Sequence, residues 1–113
     1  MQYDLEERCL KFAKRTAGYV NNLPKNQVNQ INGHQLIRSS GSTGANYIEA
    51  NECLGKKDFG MRVKISRKEA KESEYWLRLT EPREAQTKEQ DDLIQESIEL
   101  RKIFGSIVEK TKF

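Results

Sequence analysis

The chain has 113 residues, of which 35% are hydrophobic and 33% charged, with a formal net charge of +3. That describes one domain with a modest core, which four amphipathic helices could share and self-association would extend. It shows no signal-peptide pattern and no apolar run near the roughly 18 residues of a membrane span, so a cytoplasmic protein without membrane contact is expected.

Charge is segregated along the chain. Residues 56–71 carry a net +5, from Lys56, Lys57, Arg62, Lys64, Arg67, Lys68 and Lys71 against Asp58 and Glu69. Residues 81–99 carry a net −5, with seven acids against Arg83 and Lys88. Cys9 and Cys53 are too few and too far apart for a disulfide framework or a CxxC site, so both are expected as reduced, partly buried thiols.

Helix 1 is predicted over about 4–20. Asp4 reads as an N-cap with Glu7 as its capping-box partner, and Leu5, Cys9, Phe12, Ala13, Thr16, Ala17 and Val20 recur at helical spacing. Asn21-Asn22-Leu23-Pro24 ends it, because the residue before a proline avoids the helical region.

Helix 2 is predicted over about 25–54, from just after Pro24 to a stop at Gly55. Val28, Ile31 and Leu36 supply its apolar face. At its centre every residue from Ser39 to Ala45 is small, and Gln35, Arg38, Ser42, Asn46 and Glu49 share one stripe. Such a helix lets a neighbour's backbone approach closely, and its buried polar groups need partners there. A flexible linker is disfavoured because both flanks are too short to be domains. A phosphate-cradling loop needs a preceding strand and a Gly-Lys-Ser/Thr, and has neither. A kink at Gly41 and Gly44 is the other alternative.

Helix 3 is predicted over about 57–80, with Phe59, Val63, Ser66, Ala70, Ser73 and Leu77 inward, widened by Ile65, Trp76 and Leu79. Nearly opposite run Lys57, Met61, Lys64, Lys68, Lys71 and Tyr75, a basic stripe ending in an aromatic. Thr80-Glu81-Pro82 breaks the helix. Helix 4 is predicted over about 87–112, opened by a Thr87/Gln90 capping box. Leu93, Ser97, Leu100, Phe104, Ile107 and Thr111 form one stripe, with Ile94, Ile98, Ile103 and Val108 beside it. That arc is broader than one core seam requires and predicts a second partner. Nothing alternates with period two. The expected fold is all-α, a single antiparallel up-down-up-down four-helix bundle over 1–113.

No chemistry of catalysis is legible. A di-metal bundle needs Glu-x-x-His on two helices, and the sole histidine, His34, follows Ile31 at that spacing, so no metal and no cofactor are expected. Neither cysteine has an identifiable base. Glu49, Glu69, Glu72 and Glu74 could pair as catalytic carboxylates. The favoured reading makes Gln35, Arg38, Asn46, Glu49, Glu69 and Ser73 a structural polar cluster, in which deleting Arg38 or Glu49 would cost about 3–5 kcal/mol as for a broken buried pair. Trp76 reads as core or interface.

Two motif blocks carry a resemblance. Gln35-Leu36-x-Arg38-Ser39-x-x-Ser42-x-Gly44-Ala45-Asn46-Tyr47-x-Glu49-Ala50, then Lys57-Asp58-Phe59 and Glu69-Ala70-x-Glu72-Ser73-x-Tyr75-Trp76-Leu77-x-Leu79, resemble the bacterial four helix bundle protein family. Its members are encoded, among other places, by intervening sequences in large-subunit ribosomal RNA genes. The resemblance covers about residues 5–80, while helix 4 matches only in character. Thr43 departs from the apolar Ile usual there, which predicts looser packing at that turn. The resemblance implies an antiparallel bundle assembling as a homopentamer with a central channel. The fold is also similar to the accessory protein of diversity-generating retroelements, a basic pentamer that binds nucleic acid and a reverse transcriptase, which makes such an enzyme a candidate protein partner.

The expected function is therefore non-enzymatic association with RNA or DNA through basic helix surface multiplied by oligomerisation. The candidate contacts are Lys57, Arg62, Lys64, Arg67, Lys68, Lys71 and Tyr75 on helix 3, with Lys11 and Arg15 on helix 1. The competing reading is a protein–protein assembly module, and an enzyme built on Arg38, Glu49 and Glu69 is third.

Overall fold

The structure, a computed structural model, describes residues 2–111. Four helices form, α1 (Gln2–Asn21), α2 (Gln27–Asn51), α3 (Lys56–Leu79) and α4 (Thr87–Lys110), with a short 3-10 turn at Glu84–Gln86. No strand forms among the described residues. Position 112 of the predicted helix 4 lies outside them, as do both ends of the expected 1–113 domain.

The helix ends differ from their predicted signals. α1 starts at Gln2, so Asp4 sits inside the first turn, where its charge complements the helix dipole rather than capping it. α2 starts later than Pro24 predicts, because Asn26 is the true cap and its Oδ1 accepts the Asn29 N–H at 2.8 Å. Gly55 does not stop α2, which ends at Asn51; it is the extended N-cap of α3. The Thr87/Gln90 capping box does not form. Gln90 Nε2 instead donates to the Leu77 carbonyl at 3.0 Å, closing the end of α3, and Thr87 Oγ1 donates to the Glu84 carbonyl.

Contacts between α2 and α3 run in opposite chain directions, 39 with 73, 43 with 66 and 46 with 62. Small residues set this seam. Ser39 and Ser73 hydroxyls meet at 2.8 Å, and Ser66 donates to the Thr43 carbonyl at 2.9 Å, so buried polar atoms pair across it. Thr43 itself is fully buried and donates to the Ser39 carbonyl at 2.9 Å, which gives the departing hydroxyl a partner.

α2 is continuous through Gly41 and Gly44, but its buried face is not the predicted polar stripe. Leu36, Ser39, Ser40, Thr43, Gly44, Tyr47 and Ala50 face inward, while Arg38, Glu49, Val28 and Ile31 are exposed. Tyr47 and Ala50 bury where those apolar side chains do not. On α3 the predicted stripe holds: Val63, Ser66, Ala70, Ser73 and Leu77 are buried, with Phe59 half-buried at its start. On α1, Tyr19 joins Leu5, Cys9, Phe12 and Thr16 inside, its hydroxyl 2.7 Å from Thr80 Oγ1. On α4, Val108 rather than Ile107 takes the innermost place.

A further seam, between α1 and α4, closes the bundle. Arg8 Nε and Nη2 each reach the Glu96 carboxylate at 2.8 Å, with Glu99 also at 2.8 Å, and Arg15 pairs with Glu89 at 2.9 Å. The acidic run of α4 is thus partly spent on α1 within the same chain. The Glu96 hydrogen bonds hold Arg8 above its ordinary pKa, and the Glu89 hydrogen bonds do the same for Arg15. At one end Asn29 joins two loops: its Nδ2 donates to the Pro24 and Glu81 carbonyls, and its Oδ1 accepts the Glu81 N–H at 2.8 Å.

Candidate nucleic-acid interface

The inward packing of Val63, Ala70 and Leu77 turns the opposite side of α3 to solvent, and Lys57, Lys64, Lys68, Lys71 and Tyr75 all emerge exposed on it. α4 packs along one flank of this helix. Leu100 and Phe104 of α4 are buried in the core, and Arg101 and Lys102, beside them in sequence, rise next to the lysine row.

The result is a groove between α3 and α4. Its central hollow, about 500 Å³, is lined by Lys64, Arg67, Lys68, Lys71, Arg101 and Lys102, six cations and no acid. A second hollow of about 520 Å³ shares Lys68, Lys71 and Arg101 and adds Glu72, Glu74, Tyr75 and Arg78. A third, of about 300 Å³, shares Lys64 and continues through Lys56, Lys57, Gly60 and Met61 to Val108 and Thr111.

Most of these cations are unspent. Among the described residues, Lys64, Arg67, Lys71 and Lys102 have no acid within ion-pair range. Lys68 is 4.0 Å from Glu69, and Arg101 is 3.9 Å from Glu74, beyond hydrogen-bond reach. The Arg101 Nε has no acceptor at all. Four other arginines are committed: Arg8, Arg15 and Arg38 outside the groove, and Arg78 at its second hollow, lie 2.8–3.3 Å from carboxylates. Concentrated unpaired charge in a groove is a phosphate-binding arrangement, because neutralising phosphates releases condensed counterions.

Three predicted contacts lie elsewhere. Arg15 is held by Glu89 on the α1–α4 seam. Lys11 is exposed on α1, which packs against α2 and α4. Arg62 donates to Asn46 Oδ1 at 3.1 Å, on the α2 side of α3. Arg101, Lys102 and Arg78 were not predicted. Arg101 and Lys102 follow directly on the acidic run, and their only local signal is their position just after the core residue Leu100.

The polar cluster is only partly assembled. Arg38 bonds Gln35 Oε1 at 3.3 Å, Glu69 at 3.3 Å and Glu72 at 3.1 Å. Glu69 is 7% exposed, but the Arg38 side chain is 46% exposed, so this is a pair at the rim of the α2–α3 seam and not inside it. Ser73 belongs to the buried seam with Ser39, and Asn46 to Arg62. Glu49 is exposed and its side chain joins none of these groups.

Groups suited to other chemistry are dispersed. Burial pushes the Cys9 thiol up to about 12, which makes it a poor nucleophile. Among the described residues no three His, Cys, Asp or Glu side chains gather as a metal site would need, and no helix is long and apolar enough to cross a membrane.

A family model described as 23S rRNA-intervening sequence protein matches residues 1–106. A crystal structure of a protein of unknown function from the S23 ribosomal protein family of Bacteroides thetaiotaomicron VPI-5482 is similar at 34% identity and a TM-score of 0.80. The match covers 92% of this chain and 97% of that one. No curated protein matches.

Proposed function

This chain belongs to the 23S rRNA-intervening sequence protein family, and we propose that it is a non-enzymatic RNA-associated protein that holds the phosphate backbone in the α3–α4 groove. The observation that carries the reading is the central hollow, where six cations from two helices converge without an acid. Lysines and arginines on helices, with no base-reading motif, contact backbone and shape with little sequence discrimination. The four helices act as an antiparallel up-down-up-down bundle, and the working unit is a homo-oligomer, a pentamer as the resemblance implies, in which the groove is repeated in each subunit.

The support for assembly comes from a different place than the sequence suggests. No residue of α4 is among the exposed large hydrophobics, because Ile94, Ile103 and Ile107 pack against the core. Leu10 of α1 and Ile37 and Ile48 of α2 are among the exposed ones, each more than 40% accessible, and Val28 and Ile31 of α2 are exposed as well. They also sustain the second reading, a protein–protein assembly module without nucleic acid.

The test is retention of a mixed RNA pool on filters at about 50 mM salt, where phosphate contacts are strongest, with the 260/280 nm absorbance ratio of purified protein followed through a high-salt wash. Lys64→Glu/Lys68→Glu/Lys71→Glu is expected to abolish retention and leave the oligomer intact. No retention by the unaltered protein would decide for the assembly module.

A further inference from the structure

We infer that the groove takes single-stranded RNA, with an unpaired base stacked on Tyr75 where the cation row ends; this rests on the RNA reading above.

Tyr75 is 59% exposed, an aromatic left outside the core on the same wall as Lys68 and Lys71. It is not loose: Trp76 meets it edge to face at a centroid distance of 5.2 Å and an interplanar angle of 66°. A ring presented beside backbone-binding cations is the arrangement by which proteins bind single strands, since every base offers a π-face. A duplex has no use for it, because its bases are already stacked on one another.

The cations point the same way. Lys64 and Tyr75 stand eleven positions apart, roughly 16 Å along the helix, a run of a few nucleotides. Arg67 and Arg101 are half-buried between two helices whose axes pack about 8–10 Å apart. A thick duplex resting on the ridge of α3 would touch the lysines and miss these two arginines. A single strand can lower a phosphate between them, and Arg101, with its long 3.9 Å contact to Glu74, has a guanidinium to give. The acids near Tyr75 do not oppose this. Glu72 is held by Arg38 and Glu74 by Arg78.

The experiment compares a labelled single-stranded RNA, the same strand with its bases removed, and a fully paired duplex of equal length, for the unaltered protein, Tyr75→Ala and Tyr75→Phe. The single strand is expected to bind best. Tyr75→Ala is expected to weaken it roughly five- to 150-fold without changing its salt dependence, to leave the base-free strand and duplex unaffected, and Tyr75→Phe to retain binding. Trp76, the sole tryptophan, touches Tyr75, so its fluorescence is expected to change with the single strand and not with the duplex. Equal binding of duplex and single strand with no effect of Tyr75→Ala overturns the inference and leaves the RNA reading standing. Failure of all three probes to bind overturns both. Dissociation of the oligomer by Tyr75→Ala, measured by light scattering, would make Tyr75 a subunit contact and overturn the inference as well.

Discussion

Gly44 of α2 lies directly on Cys9 of α1: a methyl group added at Gly44 would stand 2.9 Å from Cys9 Cβ, closer than side chains pack. Gly41, one turn away on the same helix, faces open space. Alanine at the two positions should therefore act with opposite signs. Gly41→Ala removes the conformational freedom of glycine and should stabilise by up to about 1 kcal/mol. Gly44→Ala has the same helix gain but must push α1 away, an overpacking penalty of about 1–3 kcal/mol, and should lower the melting temperature. Equal stabilisation by both would mean that α1 and α2 do not approach this closely.

Arg38 and Glu69 make a rim pair, not the buried pair expected from the stripe. Arg38→Ala should cost about 1–2 kcal/mol in urea denaturation, below the range for a pair sealed from solvent, because only Glu69 is buried. Glu49→Ala, at an exposed site with no partner among the described side chains, should stay within about 0.5 kcal/mol. A large loss from Glu49→Ala would show that the residue acts in an assembly.

Cys9 gives a pH dependence. Its thiol is raised from 9.0 to about 12 by burial, so the folded state keeps a proton that the unfolded state loses. Its contribution is complete below pH 9 and is lost as pH rises toward 12, at about 1.4 kcal/mol per unit. Burial also raises Tyr19 and Tyr47, so the wild-type loss includes tyrosine titration and the difference from Cys9→Ala isolates the thiol. At pH 8 an aromatic disulfide reagent should titrate the half-buried Cys53 in native protein and both thiols only after unfolding. Rapid native reaction of two thiols would contradict the packing of α1 on α2.

Assembly should run through α1 and α2. Light scattering coupled to gel filtration is expected to give about five times the 13.1 kDa chain mass. Ile37→Glu/Ile48→Glu should dissociate that species while the helical circular dichroism is retained, since both side chains are more than 40% exposed in the single chain. A clean monomer of the unaltered protein at micromolar concentration would rule assembly out.

The number of helices and the inward face of α3 were legible in the sequence because apolar and small residues repeat there at one spacing, with lysines opposite. The inward face of α2 was not. Leu36, Tyr47 and Ala50 face inward with Gly33, Ser39, Ser40, Thr43 and Gly44 between them, while Val28, Ile31, Ile37 and Ile48 lie outside, so hydrophobicity marks that face only in part. A helix that packs by close approach needs small residues inside, and small residues carry little hydropathic signal. The groove was half legible for a related reason. Lys64, Lys68 and Lys71 share a helix, but Arg101 and Lys102 reach them only through the packing of α4 on α3, which no local pattern specifies. The Asn29 bridge between two loops is equally non-local, its partners lying at Pro24 and Glu81.

The last prediction separates a groove from mere positive charge. If phosphates sit between α3 and α4, each cation contributes about 0.7 to the slope of log affinity against log salt on a single strand and about 0.9 on a duplex. The milder Lys64→Gln/Lys68→Gln/Lys71→Gln, which removes the three charges without reversing them, should then flatten the single-strand slope by about 2 in a titration from about 50 to 200 mM salt. Arg101→Gln/Lys102→Gln, on the other wall, should flatten it by about 1.4, although these residues belong to the helix that carries most of the acidic 81–99 run. Lys11→Glu changes net charge by the same two units as each single reversal in the groove, but Lys11 lies on α1, outside the groove. It should leave both slope and affinity nearly unchanged, because charges separated by more than a screening length of about 8–10 Å act weakly on a bound phosphate at these salt concentrations. Loss of affinity from Lys11→Glu equal to that from Lys64→Glu would mean that the protein attracts RNA by its overall charge, and the α3–α4 groove would lose its claim to be the binding site.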